Sequence, residues 1–137
     1  MPWSSKRQGK RVKFLVEILP AEITPTVNQL ELCLYTPQLN FLAYLKTEAI
    51  VAQAYSPLGL TDSPLLTDVA ATAIAKKDRL QTSDVLLGYL LAQDVVVPPK
   101  LVTPARIASN YIGTVAAVKR LTEDDLQTLN MAAVGGK

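Results

Sequence analysis

The sequence predicts an α/β fold with parallel strands. Runs with helical periodicity alternate with short β-branched or apolar runs, in the order helix, strand, helix, strand, two helices, strand, helix and terminal helix. Strands separated by helices run parallel, through right-handed crossovers. With 49% hydrophobic and 19% charged residues, the 137-residue chain carries enough apolar material for one sizeable core. Three parallel strands are few, and a parallel sheet is normally covered on both faces. The pattern is therefore expected to be part of a larger unit.

Each element has its own signature. Val12, Leu15, Val16 and Leu19 fall at i, i+3, i+4 and i+7, one face of a short helix ended by Pro20. Residues 26–34, TVNQLELCL, are β-branched at their start and alternate polar with apolar from Asn28 to Cys33, which is a strand pattern. Pro37 opens a second helix with Leu39, Leu42 and Ala43 inward, and a strand over residues 50–54 follows. After Gly59 the segment LTDSP is a loop, since Asp62, Ser63 and Pro64 are turn formers. Leu66, Val69, Ala70, Ala73 and Ile74 form the next helical stripe. Thr82 or Ser83 is placed to cap a further helix bearing Val85, Leu86, Tyr89 and Leu90. Asp94 introduces an apolar strand, Val95, Val96 and Val97, which PPK ends. Pro104 stands in the first turn of the following helix. Thr122, with Asp125 three residues on, resembles a capping box for a last helix bearing Leu126 and Leu129.

Composition excludes several chemistries. The chain has no histidine, so histidine-dependent acid–base catalysis cannot occur in it, and a conventional metal cluster has almost no ligands to draw on. The single cysteine, Cys33, excludes an internal disulfide and reads as a small buried residue. No apolar run approaches the roughly 18 residues of a membrane span, and the start lacks a secretory h-region. A cytosolic location with no membrane partner is the expectation. Lys6, Arg7, Lys10, Arg11 and Lys13 precede the first acid, Glu17, and without them the chain carries 9 basic against 12 acidic residues. With Trp3 as its one aromatic, this start makes a poor nucleic-acid surface. Residues 1–11 are expected to be a basic, poorly ordered start, with no nucleic-acid partner.

In α/β architectures ligands gather at the carboxyl ends of strands, which here are NQLE, AYSPLG and VPPKLVTPAR. Asn28 and Gln29 are amides in an apolar strand, and they either bond internally or recognise a ligand amide. Tyr55 and Ser56 are either a core tyrosine followed by a Ser-Pro turn, or a stacking ring beside a hydroxyl for phosphate or ribose. Lys100, Thr103 and Arg106 lead into a helix N-terminus, as a phosphate cradle or as a capped helix with solvated charges. There is no glycine-rich phosphate loop, and Gly135-Gly136 reads as a tail. The run Glu123-Asp124-Asp125 reads as charge placed at a helix start.

Taken together, VNQLEL, IVAQAYSPLG, LLTDVAATAIAKK and VVVPPKLVTPARIASN resemble, in order and spacing, the aldo-keto reductase superfamily, from about residue 12 to residue 129. The resemblance implies a partial TIM (β/α)8 barrel with the sixth, seventh and eighth strands and their helices. Residues 12–137 would then be the C-terminal half of a truncated barrel. It also implies NADP(H) as cofactor and reduction of a small-molecule carbonyl substrate to an alcohol. The compact loop after Gly59 resembles microbial and fungal members, including those of secondary metabolism. By position, Gln29 is implied to hold the nicotinamide carboxamide, Tyr55 to stack on the nicotinamide, and Ser56 and Leu58 to contact the pyrophosphate. Lys100 and Arg106 are implied to grip the 2′-phosphate and adenine, with Thr103 beside them and Asn110 at the adenine.

The departures bear on activity. The family's catalytic aspartate, tyrosine, lysine and histidine belong to the first half of the barrel, so no catalytic residue is assigned here. The Ser-Asn pair of the fifth strand has no counterpart, with only Ser4-Ser5-Lys6 near the expected place. Cys33-Leu34 stands for the family's His-Pro, PPKL for IPKS, and Ser109 for the glutamate beside Asn110. The chain alone is expected to be inactive. The alternatives are a non-catalytic half-barrel that binds NADPH or pairs with another chain, including self-association through an open sheet edge, and a decayed remnant.

Overall fold

The computed structural model describes residues 23, 25–59, 63–100 and 102–135. The expected helix at Val12 to Leu19, the basic start, Asp62 and Gly136 lie outside them. The elements are β1 (Val27–Glu31), α1 (Leu39–Thr47), β2 (Val51–Tyr55), a 3-10 turn (Pro64–Thr67), α2 (Val69–Asp78), α3 (Thr82–Leu91), α4 (Pro104–Arg120) and α5 (Glu123–Gly135).

β1 and β2 are parallel, in a register that sets Val27 opposite Val51 and Glu31 opposite Tyr55. β1 is shorter than its alternating sequence predicts, because Thr36 N–H donates to the Cys33 carbonyl (3.0 Å) and closes a turn where the pattern still alternates. The third expected strand is reduced to one parallel bridge, Gln53 to Val96. Val96 N–H donates to Ala52 O (2.9 Å), and Ala54 N–H donates to Val96 O (2.8 Å). Pro98 and Pro99 follow without N–H donors, so the ladder cannot continue.

One sheet face carries Leu30, Ala52 and Ala54, buried against the helices. The other carries Val27, Gln29, Glu31, Val51 and Tyr55, all exposed. Gln29 is thus not the buried amide that its apolar neighbours imply. Asn28 is half-buried, and its Nδ2 lies buried without a hydrogen-bond partner among the described residues.

The helical faces also differ from the expected ones. In α1 Leu45 is buried with Phe41 and Leu42 against the core, while Leu39 and Ala43 are exposed. The helix starts at Leu39, after Gln38 in the left-handed region, which shifts the face read from Pro37. In α2 the buried residues are Ala71, Ile74 and Ala75, with Val69 and Ala73 exposed. Asp68 caps this helix by accepting from Ala71 N–H (2.9 Å), which leaves Leu66 in the separate 3-10 turn.

The middle of the molecule is α3, buried continuously from Asp84 to Leu90. Its buried Tyr89 hydroxyl donates to Asn130 Oδ1 (2.7 Å), which satisfies a polar group the core would otherwise strand. Thr82 lies inside the first turn, and the start is held instead by Asp84, whose carboxylate accepts from Gln81 N–H (3.0 Å). Small residues let α4 approach closely: a Cβ added at Gly88 would stand 2.8 Å from that of Ala117, and one at Gly113 would overlap the Asp84 carboxylate.

The expected capping box at α5 is present. Asp125 N–H donates to Thr122 Oγ1 (3.3 Å), and Asp125 Oδ2 accepts from Thr122 N–H (3.0 Å). Lys77 Nζ donates to both Asp125 oxygens (2.5 and 2.6 Å), tying α2 to α5. Burial pushes the Asp125 carboxyl upward, but bonds from Lys77 and Thr122 together hold it below the usual carboxylate value. Its stabilisation is therefore complete above the unfolded value, near 3.9, and is lost as pH falls through the lower folded value. Asp125→Asn is expected to cost about 1–3 kcal/mol at neutral pH and to flatten the acid limb of stability against pH, read from urea midpoints.

Candidate functional site at the strand carboxyl ends

Because the strands are parallel, their carboxyl ends open on one side. Tyr55 is the last residue of β2, and its ring lies 40% exposed on the open sheet face. Gln29 shares that face and pairs with Gln53, two residues before Tyr55. The chain then turns over residues 56–59. Ser56 takes a left-handed φ of 50°, and Gly59 N–H donates to its carbonyl (2.9 Å). A left-handed serine costs energy that its surroundings must offset, as at the turns and helix ends of Gln38, Ala49, Arg79 and Asp94. Gly59, at φ +77°, requires glycine, since a Cβ there would overlap Ser63 Oγ.

Two further bonds hold this rim. Tyr35 OH, in the turn after β1, donates to Asp68 Oδ2 (2.8 Å), while Asp68 Oδ1 caps α2. Burial first, and the neighbouring Asp68 carboxylate next, raise the Tyr35 phenol above its ordinary value. The turn after β1 is thereby fastened to the segment following β2.

Beside the rim lies a groove of about 370 Å³. Leu58 forms one wall, Arg106, Ser109 and Asn110 of α4 another, and Thr82 and Ser83 at the start of α3 a third. Three expected site residues, Leu58, Arg106 and Asn110, thus meet, although more than 45 positions separate the first from the others in sequence. Gln29, Tyr55 and Ser56 lie on the adjoining sheet face and turn, outside the groove lining. Lys100 and Thr103 are exposed on the approach to α4, with Thr103 at its N-cap position but making no side-chain cap bond. Sequence reasoning missed Thr82 and Ser83 as groove residues. Their hydroxyls drew notice only as possible caps, and only tertiary packing turns the α3 start toward Arg106.

The groove's polar side chains are a guanidinium, two carboxamides (Gln81 and Asn110) and three hydroxyls. That set fits a phosphorylated nucleoside, with a cationic donor for phosphate oxygens and amide groups for base edges. Among the described residues no three of histidine, cysteine, aspartate or glutamate gather as a metal site, and no helix is long and apolar enough to cross a membrane.

The described residues form a parallel α/β fold with the groove beside its strand carboxyl ends. No protein-family model matches it. It is 36% identical over 109 residues to the glycerol 2-dehydrogenase (NADP(+)) of Saccharomyces cerevisiae, covering 80% of this chain and 33% of that enzyme. It is 33% identical over 126 residues to an aldehyde reductase of the same yeast, covering 91% of this chain and 39% of the relative. Among solved structures it superposes on MGS-M4, an aldo-keto reductase from a Medee basin deep-sea metagenome library. That match has a TM-score of 0.81 and 28% identity, covering 93% of this chain and 46% of that one. The chain belongs, over the part it spans, to the aldo-keto reductase superfamily. It spans between a third and two-fifths of the length of these two yeast relatives.

Proposed function

We propose that this chain is the cofactor-holding part of an NADP(H)-dependent aldo-keto reductase, corresponding to the sixth to eighth barrel strands, and that alone it binds the cofactor without turning over a carbonyl. The observation that carries this reading is the convergence of Leu58, Arg106 and Asn110 on one groove, beside the strand end where Tyr55 presents its ring. Arg106 and Lys100 supply positive charge for the 2′-phosphate, and Asn110 bonds the adenine edge. Ser56 and Leu58 line the path of the pyrophosphate, with Thr103 at the α4 start. Tyr55 offers a flat support for the nicotinamide, and Gln29 on the same face bonds its carboxamide.

The bound nicotinamide would supply hydride to a small aldehyde or ketone, of the kind fungal relatives take, in the cytosol. Reduction also requires a proton at the developing alkoxide. The chain has no histidine to tune a proton donor. Two of its tyrosines are engaged elsewhere, Tyr35 with Asp68 and Tyr89 with Asn130. Burial raises both phenols, and raises Tyr89 despite a hydrogen bond from Gln93 that opposes it. Titration with NADPH, followed by cofactor oxidation across a panel of aldehydes and ketones, tests the reading. Saturable binding without oxidation is expected. Clear turnover would refute the inactivity, and absence of binding would refute the cofactor role.

A further inference from the structure

Gln81 and Ser109 line the groove, and both also line a second recess of about 550 Å³ between the α2–α3 turn and α4. The two hollows share no other residue. Two guanidiniums stand in the second one. Arg79 is the left-handed residue that ends α2, at φ 54°. Arg120 is the last residue of α4, and its Nη1 donates to Asp78 O (2.6 Å), which brings it to the residue next to Arg79. That bond fixes the guanidinium, but a carbonyl does not neutralise its charge. Among the described residues neither arginine meets a carboxylate within ion-pair distance, whereas Lys46 and Lys77 both do. Unpaired like charges held in one recess repel each other and favour an anion between them. Beside them lies apolar surface from Leu80, Ile112 and Ala116, with Ile112 67% exposed. The one acid in the lining, Asp84, is buried, accepts from Gln81 N–H (3.0 Å) and packs against Gly113. Gly113 precedes Arg120 by seven residues, which is about 10 Å along a helix axis.

We propose that this recess binds the phosphate monoester of a small apolar molecule, with the phosphate between Arg79 and Arg120 and the apolar body over Leu80, Ile112 and Ala116. Charge selects the class. A phosphate monoester carries about −1.5 to −2 at neutral pH and three strong acceptor oxygens, so one group answers both guanidiniums. Each planar fork can bond phosphate oxygens in pairs. A monocarboxylate balances only one of the two cations. The apolar strip favours an esterified phosphate over the free ion, because the ester brings carbon surface to bury. The buried Asp84 carboxylate keeps the anion at the Arg120 end of α4. None of this depends on cofactor binding, since Arg106 and Asn110 lie outside the recess.

Phenyl phosphate is the probe, titrated by calorimetry into the full chain beside benzoate, phenol and inorganic phosphate. Saturable binding is expected, at least about tenfold tighter than for any of the other three. Arg79→Asn, whose new residue tolerates left-handed backbone, and Arg120→Gln should each weaken it about tenfold or more, with helical circular dichroism retained. Should Arg120→Gln lose helical signal, Arg79→Asn decides alone. Lys119→Ala, at an exposed cation beside Arg120 but outside the recess, and Arg106→Ala, in the groove, should leave the affinity within about twofold. The proposal is overturned if phenyl phosphate does not saturate, if benzoate binds as well, if the Arg79 variant binds like the parent chain, or if Arg106→Ala abolishes binding and so moves the probe to the groove. NADPH titration bears on the groove alone, so the two readings fail separately.

Discussion

Arg106→Ala is expected to raise the Kd for NADPH by about ten- to a hundredfold while changing that for NADH by no more than about twofold. The magnitude is that of one charge-assisted hydrogen bond to phosphate. The selectivity follows from the 2′-phosphate being the sole chemical difference between the two cofactors. Arg106 stands in the first turns of α4 and walls the groove with Asn110 and the start of α3, where its guanidinium would meet the 2′-phosphate in the proposed binding mode. Lys100 lies outside the groove and is exposed, so Lys100→Ala should have a smaller effect. Calorimetric titration of both cofactors checks this. Equal losses for NADPH and NADH would move Arg106 from the 2′-phosphate to the shared part of the molecule.

The largest expected effect on stability is at Gly113. Helix propensity alone favours Gly113→Ala by about 1 kcal/mol in the interior of α4. Opposing it, the new Cβ would overlap the buried Asp84 carboxylate, which accepts from Gln81 N–H at the start of α3. Moving that carboxylate both overpacks the α3–α4 contact and strands the N–H, so a net loss of about 2–4 kcal/mol is expected. The sign should reverse in an Asp84→Ala background, where the overlap is gone and the propensity gain remains. Urea midpoints of the four proteins in this cycle give the coupling directly. Additivity would show that Asp84 is not the obstacle.

Much of the local structure was legible because it rests on local chemistry. The Thr122/Asp125 cap, the Pro104 helix start and the turn at residues 56–59 follow from residues within a few positions of one another. Where the outcome depended on distant partners, the reading was less complete. The alternation through Cys33 continues into a turn, and of the apolar run Val95 to Val97 only Val96 bridges to β2. Asp84 is buried between two helices and holds the start of α3.

The same division applies to the site. By itself the sequence determined the alternation of helices with parallel strands, and the residue types at the strand ends through which it resembles the superfamily: Gln29, Tyr55, the SPLG turn, Lys100, Arg106 and Asn110. Both are properties of short segments, set by backbone periodicity and by which side chains can bond or stack. Tertiary structure alone decided that Leu58, Arg106 and Asn110 share a groove with Thr82 and Ser83, and that Gln29 faces outward beside Tyr55. It alone also leaves Ile107, Tyr111 and Val115 of α4, and Val27 and Val51 of the sheet, exposed among the described residues. Burial and proximity across tens of residues depend on how α3 packs against its neighbours, and no local pattern encodes that packing.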